Sequence, residues 1–166
     1  QIVHHDIWNF DLPTAPILLD VNTEQGPTKI VAQPTKQGLV YTFNRETGEP
    51  IWPIEEVPFP SSIVPGEQLA ATQPIPTKPA PFDMQGLSLD TLVDFTPEIY
   101  AQAVAAVADY QLGPLFNPPL HRDNPLGKIS SMICPSGAVN ITHPSVADPT
   151  TGILYVTSRS SCSARP

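Results

Sequence analysis

The sequence predicts an all-β protein assembled from repeated antiparallel hairpins, and three observations predict it. Residues 39–43 are β-branched and aromatic, the segment Asn44-Arg45-Glu46-Thr47-Gly48 follows, and Ile51-Trp52 resumes the β pattern. The same device recurs as residues 144–147, then Asp148-Pro149-Thr150-Thr151-Gly152, then residues 153–157. In both copies an Asx side chain can close the turn and the glycine can take positive φ. A single hairpin cannot bury its own apolar face, so repeated hairpins must stack on one another. Propeller blades fit this plan best.

The elements follow in order. Residues 1–52 read as strands and turns. The opening segment, from Gln1, reads as a strand in which His4 and His5 point to opposite faces. Residues 16–21 form a short apolar run, residues 22–27 are rich in turn formers, and Lys29-Ile30-Val31-Ala32 resumes the β pattern, which is a hairpin. Residues 53–128 read as an insertion. Its first part, residues 53–81, holds eight prolines, a density that argues against ladder hydrogen bonds and for a long loop. Thr96-Pro97-Glu98 then starts a helix, with the hydroxyl at the N-cap and proline in the first turn. Ile99, Ala103, Val107 and Tyr110 line one face, so the helix is expected near residues 97–111 and outside the blades. Residues 129–166 return to blade strands.

Composition excludes several functions. The net charge is −8 with only eight basic residues and no Lys/Arg cluster, which removes nucleic acid as a partner. No apolar run approaches the roughly 20 residues that span a bilayer, and no signal-peptide pattern is present. The chain has 22 prolines, more than twice the usual share of roughly 5%. It opens on Gln1 without an initiator methionine, so a piece of a longer protein is expected. Cys134 and Cys162 lack zinc-site spacing. They are either a disulfide of an oxidising compartment or two separate thiols, and the sequence leaves both open.

Chemistry concentrates in the first 38 residues. His4-His5-Asp6-Ile7-Trp8-Asn9-Phe10-Asp11 packs histidines, carboxylates and an amide together, and Lys36 follows in Thr35-Lys36-Gln37-Gly38. For Lys36 the plain alternative is a solvated loop lysine. For His4 and His5 it is a hydrogen-bonded supporting role, and Trp8 and Trp52 read as packing residues. His121 and His143 are isolated and carry no assignment.

These motifs, together with the Asn44 and Asp148 turns, resemble the pyrroloquinoline-quinone (PQQ) dependent dehydrogenases, most closely the membrane-type glucose dehydrogenase branch. The resemblance implies an eight-bladed β-propeller of four-stranded sheets, of which this chain would hold about two to three blades; the missing blades of the parent chain would then be its partners. It implies PQQ and a calcium or magnesium ion as cofactors, a sugar or alcohol as substrate, ubiquinone or a cytochrome as electron acceptor, and a periplasmic or periplasm-facing site on the inner membrane. Lys36 matches the basic residue that steadies charge on the quinone oxygens, and Asn140, in Gly137-Ala138-Val139-Asn140, matches the family's quinone-side asparagine, with Ile141 where the family has tryptophan. Asn9 stands where the family has its catalytic aspartate. An amide cannot take the substrate proton, although its oxygen can bind a metal. Strand geometry would place Asp11 on the face of Asn9 at about 7 Å, as a substitute base. Two other classes stay open: a propeller that has become a non-catalytic binding module, and an unrelated secreted carbohydrate-binding β protein.

Overall fold

The computed structural model describes every residue except Glu24, Gln25, His143 and Pro166. Its first sheet is an antiparallel meander of β1 (Ile17–Thr23), β2 (Gly26–Pro34) and β3 (Val40–Asn44). The expected hairpin pairs Thr23 with Gly26, and its tip, residues 24 and 25, lies outside the described residues. At the end of β3 the Asn44 Oδ1 accepts from the amides of Glu46 (2.8 Å) and Thr47 (3.2 Å), and Gly48 at φ +80° donates to Asn44 O at 2.8 Å. The second copy of this turn closes the hairpin of β10 (Val146–Asp148) and β11 (Ile153–Tyr155). There the Asp148 Oδ1 accepts from the amide (2.8 Å) and hydroxyl (2.7 Å) of Thr150, and Gly152 takes φ +70°. Local side-chain bonding to the backbone sets both turns.

The sheets stop short of the expected four strands. After the Asn44 turn only Phe43 and Pro50 form a bridge, and Ile51 N donates to Thr42 O at 2.9 Å. Pro50 and Pro53 bring no N–H to a fourth strand, so the ladder ends there. Beyond β11 the chain leaves its hairpin because Ser158 and Ser160 are drawn to Asp83. Among the described residues, sheets hold two or three strands.

The proline-rich segment contains a hairpin where a loop was expected. β4 (Ile54–Pro58) pairs antiparallel with β5 (Thr72–Pro76), and Pro58, Pro74 and Pro76 all lie in it. Hydrogen bonds join the alternate pairs, as Phe59 N to Ala71 O (3.3 Å) and Thr77 N to Pro53 O (2.9 Å) show at its ends. The three prolines occupy the other parity, where the backbone N faces away from the partner strand, so no ladder bond is lost.

Short strands follow: β6 (Gly86–Leu87), then a 3₁₀ turn at Leu89–Thr91 and the helix α1 (Pro97–Val107), then β7 (Tyr110–Gln111), β8 (Gly113–Pro114), β9 (Ser130–Ile133) and, near the C-terminus, β12 (Ser163–Arg165). Thr96 caps α1 as expected, its hydroxyl accepting from Ile99 N at 3.3 Å. The helix ends four residues early. Asp109 O accepts from Ile129 N at 2.8 Å and Tyr110 pairs with Ser130, in the one parallel pairing among the described strands, so tertiary pairing overrides helical propensity. Ile99 is exposed and the half-buried stripe is Tyr100, Ala103, Val104 and Val107; no helix residue is fully buried, so α1 lies on the surface. β6 pairs with β8, and β9 lies between β12 and β7.

The core joins the first sheet to the irregular segments. Trp8, Phe10, Leu39, Tyr41, Leu115, Phe116 and Ile133 are buried together. Phe116 is fully buried and meets Trp8, Phe10 and Phe59 edge to face, with ring centroids at 5.1, 5.6 and 4.8 Å. Burying such a ring contributes roughly 1.5–3 kcal/mol. Trp8 also donates from Nε1 to Asn117 O at 2.8 Å, so its packing role is observed.

Candidate active site

The segment before β1 is not a strand. His5 and Asn9 have φ of 47° and 64°, and the Asp6 carboxylate accepts from the amides of Trp8 (2.8 Å) and Phe10 (2.7 Å). The carboxylate thus folds the chain into a loop whose rings, Trp8 and Phe10, point into the core while Asn9 and Asp11 stay at the surface. His4 anchors the head of this loop. Its backbone exchanges hydrogen bonds of 2.8 Å each way with the Gln73 amide of β5, and its Nε2 meets Glu56 Oε1 of β4 at 3.0 Å. That contact, with a second from the Thr72 hydroxyl, holds the Glu56 carboxyl below its ordinary range. Next to it, burial and then the Glu56 charge push the Tyr41 phenol far up, and it donates to Pro74 O at 2.6 Å. His4 therefore plays the supporting part, and His5 is exposed.

Lys36 sits in the tight turn between β2 and β3. Gly38 N donates to Thr35 O at 3.1 Å, the Thr35 hydroxyl to Leu39 O at 2.9 Å, and Gly38 takes φ +77°, which only glycine adopts freely. The Lys36 side chain is only 14% exposed and runs to the loop. Its Nζ donates to Asn9 O at 3.0 Å and to the Asp11 carboxylate; with the Asn9 amide oriented to suit both neighbours, it also reaches the amide oxygen at 3.2 Å while the amide nitrogen donates to Asp11 Oδ1 at 3.1 Å. All three ammonium hydrogens thus have acceptors on one loop. The structure brings Asn9, Asp11 and Lys36 together. It does so through the loop and not through the shared strand face that the sequence suggests.

Asn140 follows the segment that touches the lysine turn. Ala138 N donates to Lys36 O at 2.9 Å, and Gly137 lies beside the lysine stem, where a Cβ would make an ordinary contact of 3.9 Å with Lys36 Cγ. Two residues on, the Asn140 Oδ1 accepts from the amide (2.8 Å) and hydroxyl (2.5 Å) of Thr142 in a turn of its own, and Ile141 is 77% exposed. Sequence reasoning missed the residues that hold these segments. Asp83 accepts from the hydroxyls of Ser158 and Ser160, and Gln85 Nε2 donates to Gln37 O at 2.7 Å. Cys134 and Cys162 are joined in a disulfide, which settles the choice left open above. The run Ser158-Arg159-Ser160-Ser161 beside Cys162 was the available signal.

The family model for the glucose/ethanol/alcohol dehydrogenase β-propeller domain with PQQ matches residues 1–165. The chain belongs to this quinoprotein dehydrogenase family. It is 40% identical over 76 residues to the quinoprotein glucose dehydrogenase of Gluconobacter oxydans (strain 621H), an overlap of 45% of this chain and 9% of the relative. Against the probable quinate dehydrogenase (quinone) of Xanthomonas campestris pv. juglandis it is 43% identical over 76 residues, 45% of the chain and 10% of the relative. Against the quinoprotein glucose dehydrogenase of Escherichia coli (strain K12) it is 35% identical over 74 residues, 45% and 9%. The chain thus matches about a tenth of the length of these curated relatives. No solved structure matches it.

The donor set fits a quinone carrying carbonyl and carboxylate oxygens. It offers a sheltered ammonium at Lys36 and an amide at Asn9, and on the same turn the fully buried Gln37 amide meets no partner at either end. It does not fit a metal ion by itself. Among the described residues no three His, Cys, Asp or Glu side chains converge, and the Asn9 oxygen faces an ammonium, which repels a cation. A cleft of about 650 Å³ between the first sheet and the β10–β11 hairpin is lined mainly by apolar side chains such as Leu19, Ile30, Val40 and Leu154, and none of Asn9, Asp11, Lys36 or Asn140 borders it. Charge and donors, not volume, mark the site.

Proposed function

We propose that this chain is a segment of a longer PQQ-dependent dehydrogenase of sugars or alcohols, and that it supplies the cationic side of the quinone pocket. The convergence of Lys36 with Asn9 and Asp11, in a chain that matches the family over residues 1–165, carries this reading. When bound, PQQ supplies an electrophilic carbonyl carbon able to take a hydride from the substrate carbon. Lys36 would hold a quinone oxygen and offset the negative charge that builds on it, in the manner of an oxyanion donor. To do so its ammonium gives up one of the three acceptors it holds on the loop. Asn9 orients the ammonium, and Asp11, with its side chain 58% exposed, is our candidate for the carboxylate that takes the substrate's hydroxyl proton. Asn140 is assigned to the quinone side through its match to the family motif, three residues after Gly137. The electron acceptor would be ubiquinone or a cytochrome, with the parent protein in the periplasm or facing it on the inner membrane. Among the described residues no helix is long and apolar enough to cross a membrane. A calcium or magnesium ion in the parent takes its ligands from the blades outside this chain.

One observation favours a second reading, a quinone-binding module without turnover: Asn9 cannot accept a proton, and Asp11 is already engaged by Lys36. Dye reduction by the PQQ-reconstituted parent across aldoses and alcohols separates the two. Under the first reading the parent turns over and Asp11→Asn abolishes it. Under the second the parent binds PQQ without turnover, and Asn9→Asp creates it. If neither variant changes turnover, the assignment of chemistry to this loop is wrong.

A further inference from the structure

Two segments distant in sequence grip the Lys36 turn, and a third ties them together. On one side, Phe82 N donates to Gly38 O at 2.8 Å and Gln85 Nε2 to Gln37 O at 2.7 Å. Asp83 lies so close that a Cβ on Gly38 would stand 2.8 Å from its own. On the other side Ala138 N holds Lys36 O, and Ala138 O accepts in turn from Arg159 N at 2.9 Å and the Ser158 hydroxyl at 3.4 Å. What ties the two sides to each other is the Asp83 carboxylate. One oxygen accepts from Ser158, and the other from the Ser160 hydroxyl at 2.9 Å and the Met84 amide at 2.7 Å. Ser136 and Ser161 add a backbone bond of 2.8 Å and a hydroxyl contact of 3.0 Å, and the Cys134–Cys162 disulfide closes the far end.

A lysine that must leave an acceptor of its own loop for a quinone oxygen needs a fixed backbone, because a freely shifting turn would carry the ammonium off with Asp11. The Thr35–Gly38 backbone has its outward carbonyls at Lys36, Gln37 and Gly38 all taken up by these segments. We propose that Asp83, bridged by Ser158 and Ser160, is a positioning residue for Lys36: it locks the segments of residues 82–85 and 136–138 around the lysine turn and so sets the affinity of the pocket for the quinone. This rests on the reading of Lys36 as a quinone-binding residue.

The test is a double-mutant cycle on PQQ binding by the full-length parent, read by quenching of tryptophan fluorescence, together with hydrogen exchange at the Ala138 amide. Asp83→Ala is expected to weaken PQQ binding about tenfold, within the range found for coupled residues. It should also speed exchange at Ala138. In the Lys36→Ala background Asp83→Ala should cost nothing more. Asp83→Asn should recover most of the affinity, since serine hydroxyls accept as well as donate. Equal losses in the two backgrounds, unchanged PQQ affinity, or an Ala138 amide indifferent to Asp83 overturns the proposal. If Lys36→Ala alone leaves PQQ binding intact while Ala138 still responds to Asp83, the quinone reading has failed and the clasp has not. Should Asp83→Ala not fold, the double variant Ser158→Ala, Ser160→Ala removes the same bridge from its other side and is held to the same outcomes.

Discussion

Truncation of Phe116 to alanine tests how the core carries the site. The ring is fully buried and makes edge-to-face contacts with Trp8, Phe10 and Phe59 at 4.8–5.6 Å, so its loss opens a cavity that no single neighbour can fill. Phe→Ala at such a site costs about 3–5 kcal/mol, and three ring contacts worth roughly 0.5–1.5 kcal/mol each place this case in the upper half. Two of the three neighbours belong to the loop that presents Asn9 and Asp11 to Lys36. The cost should therefore appear locally as well as globally. In hydrogen exchange, the amides of Trp8 and Phe10, which donate to Asp6, should lose protection along with β3. Urea unfolding should show the midpoint moved by the equivalent free energy, and Phe116→Leu should cost less than half as much. A change below about 1 kcal/mol, or unaltered protection of the Trp8 and Phe10 amides, would refute the claim that this ring props the loop.

Gly38→Ala forces a left-handed residue to carry a Cβ 2.8 Å from Asp83 Cβ; about 1–2 kcal/mol of backbone cost plus displacement of residues 82–85 should expose the Phe82 amide to exchange. Replacing both Cys134 and Cys162 by serine opens a loop of 28 residues and should lower unfolding free energy by about 3–4 kcal/mol in denaturant titration. The Glu56 carboxyl is held below its ordinary value of 4.5 by His4 and then Thr72, so its contribution is full above that value and fades as pH falls through the lowered one. Acid titration of stability should accordingly be flatter in Glu56→Gln below pH 4.5, and a slope equal to the wild type's would show that the His4 tether is idle.

What could be read from the sequence was local. The Asn44 and Asp148 turns and the Thr96 cap are side chains bonding their own backbone within a few residues, so their chemistry is visible in order of sequence. The loop of residues 4–11 was not, because its shape comes from Asp6 bonding two amides over rings that must first find Phe116. Proline density hides the β4–β5 hairpin, because proline parity decides whether a ladder can form: Pro74 and Pro76, two apart, fit one side of it. Lys36 was found through its motif. Asp83, 47 positions later, and Ser158 and Ser160, later still, reach the lysine turn only through the fold.

The most direct measurement is PQQ affinity and turnover of the reconstituted parent for Lys36→Ala, with the thermal midpoint recorded on the same samples. The Lys36–Asp11 pair leaves the carboxylate 58% exposed and free to rehydrate, so its removal should cost folding no more than about 1 kcal/mol. Loss of an oxyanion-type donor should lower turnover about 10²–10³-fold, with PQQ binding weakened as well. A variant that binds PQQ and turns over as the wild type does would contradict the account, and so would one whose activity falls only in step with its thermal midpoint.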